Sequence, residues 1–258
     1  YAQTEWPNLN VYMNSITEQY ATFNISGPKT RNIIEKVFPE VNFSNEAFPF
    51  MTFQFHEYED TPIRILRASF TGEMGYEIYV PSNQAVKIWE KIISFGKEFG
   101  LMPYGTETMH LLRAEKGYII VGQDTDGSIT PLDLGLDWMI GKSKKDFLGK
   151  RSLIRSDTVR KDRKQLVGIL PTNKNEKLEE GQHIILDKEI KTPTPMLGHI
   201  TSCYQSPTLG HNFALAVIKN GQSLIGTKAF ASTPELKTIE VEIVEPIFYD
   251  KENTKLAS

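Results

Sequence analysis

The pattern that most restricts this fold lies in the last hundred residues. From Gln165 onward come six short alternating segments, at 165–170, 183–186, 196–203, 213–218, 227–231 and 238–244. Gly, Pro and Asn stand between them, and no long helical period intervenes. Alternation sends successive side chains to opposite faces of a strand, and the breakers mark turns. Such a segment builds a small antiparallel barrel or a sandwich. The change of character falls near residue 155, so the expected division is 1–155 and 156–258.

The first part mixes helix and strand. Residues 21–26 alternate as a strand, and Gly27-Pro28 then opens a helix whose face is Ile33, Ile34, Val37 and Phe38, stopped by Pro39. Residues 63–70 and 76–80 read as a hairpin. A second helix is expected over 83–99, with Ser82 as N-cap, Gly100 as stop, and a buried stripe of Val86, Trp89, Ile92, Ile93 and Phe99. A third runs from Thr106 to Lys116 and ends at Gly117. With a further strand near Ile119-Ile120-Val121, the order suggests a split βαβ, ferredoxin-like module. The fold class is therefore α+β.

The stretch Phe70-Thr71-Gly72-Glu73-Met74-Gly75-Tyr76-Glu77-Ile78-Tyr79-Val80 places a carboxylate inside a strand, after a turn with two glycines. Glycine permits the positive φ of a sharp reversal. Tyr76, Ile78 and Val80 face a core, while Glu77 and Tyr79 take the other side. A carboxylate beside Phe70 and Tyr79 can accept paired N–H donors of a flat, nitrogen-rich heterocycle while a ring stacks on it. A surface hairpin with an exposed Glu fits the same residues.

Composition narrows the classes. The 258 residues are 40% hydrophobic and 24% charged, as in soluble globular proteins, and fill one large domain or two ordinary ones. A net charge of −3 argues against nucleic acid as the main partner. The basic runs at 142–145 and 160–164 read as solvated linker surface. The single cysteine, Cys203, excludes an intrachain disulfide and suits a cytoplasmic setting. Its strand-like surroundings favour a structural thiol over a nucleophile. No apolar run approaches the ~20 residues of a membrane span, and no signal peptide is visible. The chain opens at Tyr1 rather than Met, which suggests a piece of something longer.

Several chemistries fail on spacing. His56, His110, His183, His199 and His211 show no metal-ligand pattern. His110 lines a cleft or is an ordinary half-buried histidine. Asp124-Thr125-Asp126-Gly127-Ser128 starts like a calcium loop, but Ile129 stands where Gly is needed and Gly135 where the bidentate Glu belongs. A polar active-site loop and a plain turn remain. No GxGxxG, Walker loop or Ser-His-Asp arrangement appears.

The run SFTGEMGYEIYVP resembles the hallmark of the aminomethyltransferase family, the folate-dependent T-protein of glycine cleavage and its relatives. LLRAEKG at 111–117, GQDTDGSITPLDLGLDW at 122–138 and KDFLGKRS at 145–152 resemble further family motifs in order. YGTETMHLLRAEKGYIIVGQDTDG and RKDRKQLVGIL look like the branch found in the C-terminal half of heterotetrameric sarcosine oxidase α subunits. The resemblance covers nearly the whole chain. It implies α/β folate-binding modules followed by a barrel around a folate channel, with tetrahydrofolate as the ligand of this region. Glu77 would hold the pterin's amino and ring N–H groups. Phe70, usually Tyr in the family, would stack near the pterin, and Tyr249 would match a C-terminal aromatic of the site.

Two departures accompany the likeness. Met109 stands where T-proteins carry an Arg for the folate tail. The family's catalytic Asp is expected upstream of Tyr1, so no catalytic residue is assigned here. The implied partners are flavin-carrying sarcosine oxidase subunits, with FAD or FMN and NAD elsewhere in the assembly, and the iminium of an N-methyl amine. Implied alternatives are a demethylase for another substrate, or a non-catalytic folate-binding protein. The latter carries Lys-Gly-Cys-Tyr where this chain has Lys116-Gly117-Tyr118-Ile119.

Overall fold

The computed structural model describes residue 2 and residues 4–257. Contacts gather into two units. One holds the described residues through Ser69, then Glu73–Pro103 and those from Lys255 on; the other holds Phe70–Gly72 and Tyr104–Thr254.

The first unit is an antiparallel sheet backed by helices. Its strands are β1 (Tyr20–Ser26), β2 (Phe53–Tyr58), β3 (Thr61–Leu66) and β4 (Gly75–Pro81), in the order β1-β4-β3-β2. Helix α1 (Thr30–Val37) connects β1 to β2, and α2 (Ala85–Gly96) follows β4. β4 lies between β1 and β3, which therefore run parallel to each other, so β1-α1-β3 is a split βαβ with β2 added at the edge. Ile33, Ile34, Val37 and Phe38 of the α1 region pack with Ile63, Ile65, Tyr76, Ile78 and Val80 in one buried cluster. Full burial of such a side chain contributes about 1.5–3 kcal/mol, and this face supplies the cohesion of the unit.

Several local expectations shift. The first strand of the hairpin ends at Leu66 rather than Phe70, because Arg67 turns inward and donates to the Phe48 carbonyl at 2.7 Å. Gly72 takes the positive φ of +84°, whereas Gly75 opens β4, where an added Cβ would lie 2.7 Å from the Ala68 carbonyl oxygen. Ser82 is not the cap of α2; its hydroxyl donates to the Glu18 carbonyl at 2.8 Å. The buried stripe of α2 is Ile88, Ile92 and Gly96, while Val86 is 69% and Trp89 42% exposed. β2 carries no ordinary strand signal because its pattern is inverted: Phe53 and Phe55 face out, Gln54, His56 and Tyr58 face in. Its turn to β3, Glu59-Asp60, has φ of +48° and +57° without the Asn or Gly that announces such turns.

The second unit is a closed six-stranded antiparallel barrel. β5 (Lys164–Pro171), β6 (His183–Ile185), β7 (Gly198–Ser206), β8 (His211–Lys219), β9 (Lys228–Ser232) and β10 (Thr238–Val244) follow the order β10-β5-β8-β7-β6-β9. All six expected strands form, and closure decides for the barrel over the sandwich. β8 is apolar on both faces. Ala214, Ala216 and Ile218 fill the barrel, while Phe213, Leu215 and Val217 pack outside it with Ala114 of α3 (Thr106–Glu115).

The expected strand at Ile119–Val121 is absent; only a single bridge joins Val121 to Thr125. There the chain wraps around Asp124, whose amide donates to the Ile120 carbonyl at 2.9 Å and whose Oδ2 accepts the Ile120 amide at 2.9 Å. Nor is the 160–164 run all solvated linker. Arg163 donates to both carboxylate oxygens of Asp133, at 2.8 Å and 2.7 Å, and Lys164 begins β5. Among the described residues no helix is long and apolar enough to cross a membrane.

Candidate functional site

Alternation in β4 puts Tyr76, Ile78 and Val80 at 0% exposure, on the face against α1 and α2. Glu77 and Tyr79, one step out of phase, stand half-buried on the opposite face. Register fixes their neighbours. Glu77 lies opposite Asn24 of β1 and Leu66 of β3, and Tyr79 opposite Thr22 and Arg64. Phe53 and Phe55 of β2 continue these two rows, opposite Leu66 and Arg64.

The Tyr79 hydroxyl donates to Glu77 Oε2. Burial, and then the hydrogen bond and charge of Glu77, push the phenol up to about 12, so it stays a donor at neutral pH. Among the described residues nothing donates to Glu77 Oε1. The result is a carboxylate with one oxygen anchored and one open, among the rings of Tyr79 and Phe53, whose centroids are 6.4 Å apart. Such a group can receive N–H donors of a planar ligand.

Phe70 and Tyr249 belong to the barrel unit, and there the exit of α3 brings them to one cluster. Gly117, at φ +73°, reverses the chain after α3 and approaches the Pro246 carbonyl so closely that a Cβ would lie 2.2 Å from its oxygen. The Glu115 carbonyl accepts the amides of Phe248 at 2.9 Å and Tyr249 at 3.0 Å. Lys116, buried, pairs with the Asp250 carboxylate at 3.1 Å and packs its stem on Gly72. The Phe70 ring lies nearly parallel to Tyr118, centroids 6.2 Å apart and planes 19° off. Nothing local in the sequence singles out Tyr118 as a site residue; its role comes from the ring it meets. Burial and then the Asp250 charge raise its phenol above the ordinary range.

The buried Arg113–Asp124 pair sits behind this cluster. Arg113 donates to Asp124, to the Tyr118 carbonyl at 3.0 Å and to Ser202 Oγ at 2.8 Å. Asp124 also accepts Thr201 and Ser202 hydroxyls at 2.6 Å each. The 124–128 segment is therefore an internal brace at Asp124 and a turn at Asp126, which accepts the Ser128 amide at 2.8 Å.

Met109 and His110 are half-buried on α3. Cys203 is half-buried, and burial first, then Glu180, raises its thiol to about 11, as befits an unreactive thiol. Two grooves of about 420 and 430 Å³ on the barrel share Leu170, His211, Gly226 and Glu242, and neither is lined by Glu77, Phe70 or Tyr249.

Comparison with known proteins fits this architecture. A sequence model of the GCVT N-terminal domain matches residues 1–144, and one of the glycine cleavage T-protein C-terminal barrel domain matches residues 164–250. The chain is 46% identical to a sarcosine oxidase subunit alpha of Corynebacterium sp. (strain P-1) over 98% of its length, and 35% identical to that of Rhizobium meliloti over 99%. It spans 26% of each, about a quarter of their length. It is 30% identical to an aminomethyltransferase of Thermoanaerobacter pseudethanolicus, covering 96% of this chain and 65% of that one. The crystal structure of glycine cleavage system aminomethyltransferase T from Bartonella henselae shares the fold, with a TM-score of 0.73 at 22% identity over 90% of this chain and 60% of that one.

Proposed function

Because the chain belongs to the glycine cleavage T-protein family, we propose that it is the tetrahydrofolate-binding part of a sarcosine oxidase α subunit. The observation that carries this reading is the half-buried Glu77 carboxylate, anchored at Oε2 by Tyr79 and open at Oε1. A reduced pterin presents an amino group and ring N–H groups, the donors such an acceptor suits. Phe70 and Tyr249 are the aromatic groups proposed to contact the folate. The similarity to sarcosine oxidase α subunits supports an N-methyl amine as the source of the one-carbon unit.

In this reading, flavin-carrying subunits oxidise the amine to its iminium. Tetrahydrofolate held there would supply the two amine nitrogens that take up the carbon as 5,10-methylenetetrahydrofolate, with both bonds of the iminium C=N given up and the two folate N–H protons passing to the glycine nitrogen. This chain's own contribution is to orient. Glu77 fixes the pterin head, so that the folate nitrogens meet the carbon as a bound neighbour rather than by diffusion. Capture by the bound folate then competes with water, which would otherwise release formaldehyde. The 30% identity to an aminomethyltransferase supports a second reading, in which another methylated amine donates the carbon.

The test uses the complete enzyme. Glu77→Ala is expected to divert product from methylenetetrahydrofolate to formaldehyde while flavin reduction by sarcosine persists, and to weaken tetrahydrofolate about tenfold or more. Unchanged partitioning and affinity would sink the folate assignment. Turnover of dimethylglycine but not sarcosine would select the second reading.

A further inference from the structure

The outward face of the first unit's sheet carries a second group that no family motif covers. Arg64 of β3 stands directly opposite Tyr79, so Glu77 is its diagonal cross-strand neighbour. Diagonal neighbours lie roughly 7–8 Å apart, somewhat less at Cβ, within the span of one small ligand. Yet the arginine does not turn to that acid. Its guanidinium lies over the Tyr20 ring at 4.4 Å and near Phe55 at 5.7 Å, and donates to the Tyr20 hydroxyl at 2.9 Å.

Among the described residues no carboxylate pairs with Arg64. Arg113, Arg160 and Arg163 each meet an aspartate, whereas Arg64, like Arg67, does not. One hydrogen bond to a phenol uses one of the five N–H donors of a guanidinium. The flanking rings hold the side chain in place and limit its rotamers, so little further ordering is needed to receive a partner. On one open face the fold has thus set an acid with a free acceptor and a preorganised cation with free donors. Glu77 and Arg64 present opposite charges to a ligand that need not bridge them directly.

We propose that Arg64 receives a carboxylate bound on the same sheet face as the heterocycle whose N–H groups Glu77 holds. The proposal rests on the folate reading of Glu77 and adds the anionic half of the site. A planar fork of N–H donors matches a carboxylate bidentately, which a lysine at the same place would not do. Two sources present that chemistry: the glutamyl tail of tetrahydrofolate, and the carboxylate of the amino acid released when the one-carbon unit leaves.

The experiment compares Arg64→Met and Arg64→Lys with the parent in the complete enzyme. Circular dichroism checks that each is folded, and binding is measured to tetrahydrofolate, tetrahydropteroate, glycine and methylamine. If the tail is the partner, Arg64→Met weakens tetrahydrofolate about tenfold or more and leaves tetrahydropteroate unchanged. If the amino acid is the partner, glycine loses affinity by a similar factor while methylamine and both folates do not. In either case Arg64→Lys recovers only part of the loss.

Equal effects of Arg64→Met on tetrahydrofolate and tetrahydropteroate, or none on any of the four, overturn the proposal. Glu77→Gln separates the two levels. If it leaves tetrahydrofolate binding intact, the folate reading fails, and the glycine arm alone then decides Arg64. If it abolishes binding while Arg64→Met changes nothing, only the anionic subsite falls.

Discussion

Replacing Arg113 by Met tests how far the barrel unit depends on the buried brace behind the Phe70–Tyr118 cluster. Arg113 and Asp124 side chains are both 0% exposed. The substitution keeps the apolar stem and removes the charge. Asp124 then retains three donors, the Ile120 amide at 2.9 Å and the Thr201 and Ser202 hydroxyls at 2.6 Å, but no counter-charge. A buried ion stripped of its partner costs about 3–5 kcal/mol. The Tyr118 carbonyl, which accepted from Arg113 at 3.0 Å, loses its donor, for about 1 kcal/mol more. At roughly 2–4 °C per kcal/mol for a chain of this size, the melting temperature should fall by about 10 °C or more.

Urea denaturation followed by circular dichroism measures this loss. Asp124→Asn added to Arg113→Met should recover part of it, since the leftover charge is then gone. A single-mutant loss under about 1 kcal/mol, the range of exposed pairs, would refute the reasoning. So would a double mutant that simply sums the separate costs.

Two further outcomes follow from the same neighbourhood. Gly117→Ala places a Cβ 2.2 Å from the Pro246 oxygen at φ +73°, and should destabilise by more than about 2 kcal/mol; Gly127→Ala, with nothing within 4 Å, is the near-neutral control in the same melt. Burial raises the Glu115 carboxyl while the Ser206 hydroxyl opposes, leaving it above the usual carboxylate range. The folded form therefore binds more protons between the unfolded and folded pKa values, so stability falls as pH rises through that window. Glu115→Gln should remove this decline and gain stability at neutral pH in urea melts, and parallel curves for the two proteins would contradict it.

How much could be read in advance depended on where each residue's partners lie in the chain. The six barrel strands were legible because alternation and turn residues are local, and a strand with one face inward must alternate. The inward set of β4, and hence the phase of Glu77, followed from the same rule. β2 was hidden because Phe53 and Phe55 point away from their own unit's core. Val86 and Trp89 misled for a related reason: apolar residues one step off the buried stripe of α2 still satisfy a helical period. The absent strand at Ile119–Val121 was lost to the side chain of Asp124, which no propensity counts.

The amino-acid order by itself settled the α+β class, the barrel strands, the family and the phase that turns Glu77 away from the core, all matters of short spacing. Tertiary structure alone decided barrel over sandwich, the gathering of Phe70, Tyr118 and Tyr249 around the exit of α3, the Arg113–Asp124 brace, and the placing of Arg64 diagonal to Glu77. Those depend on strand register and on pairs 11 to 134 residues apart, such as Arg113 with Asp124 and Lys116 with Asp250. Local patterns say which face a side chain takes, but only closure of the chain in space says what meets it there.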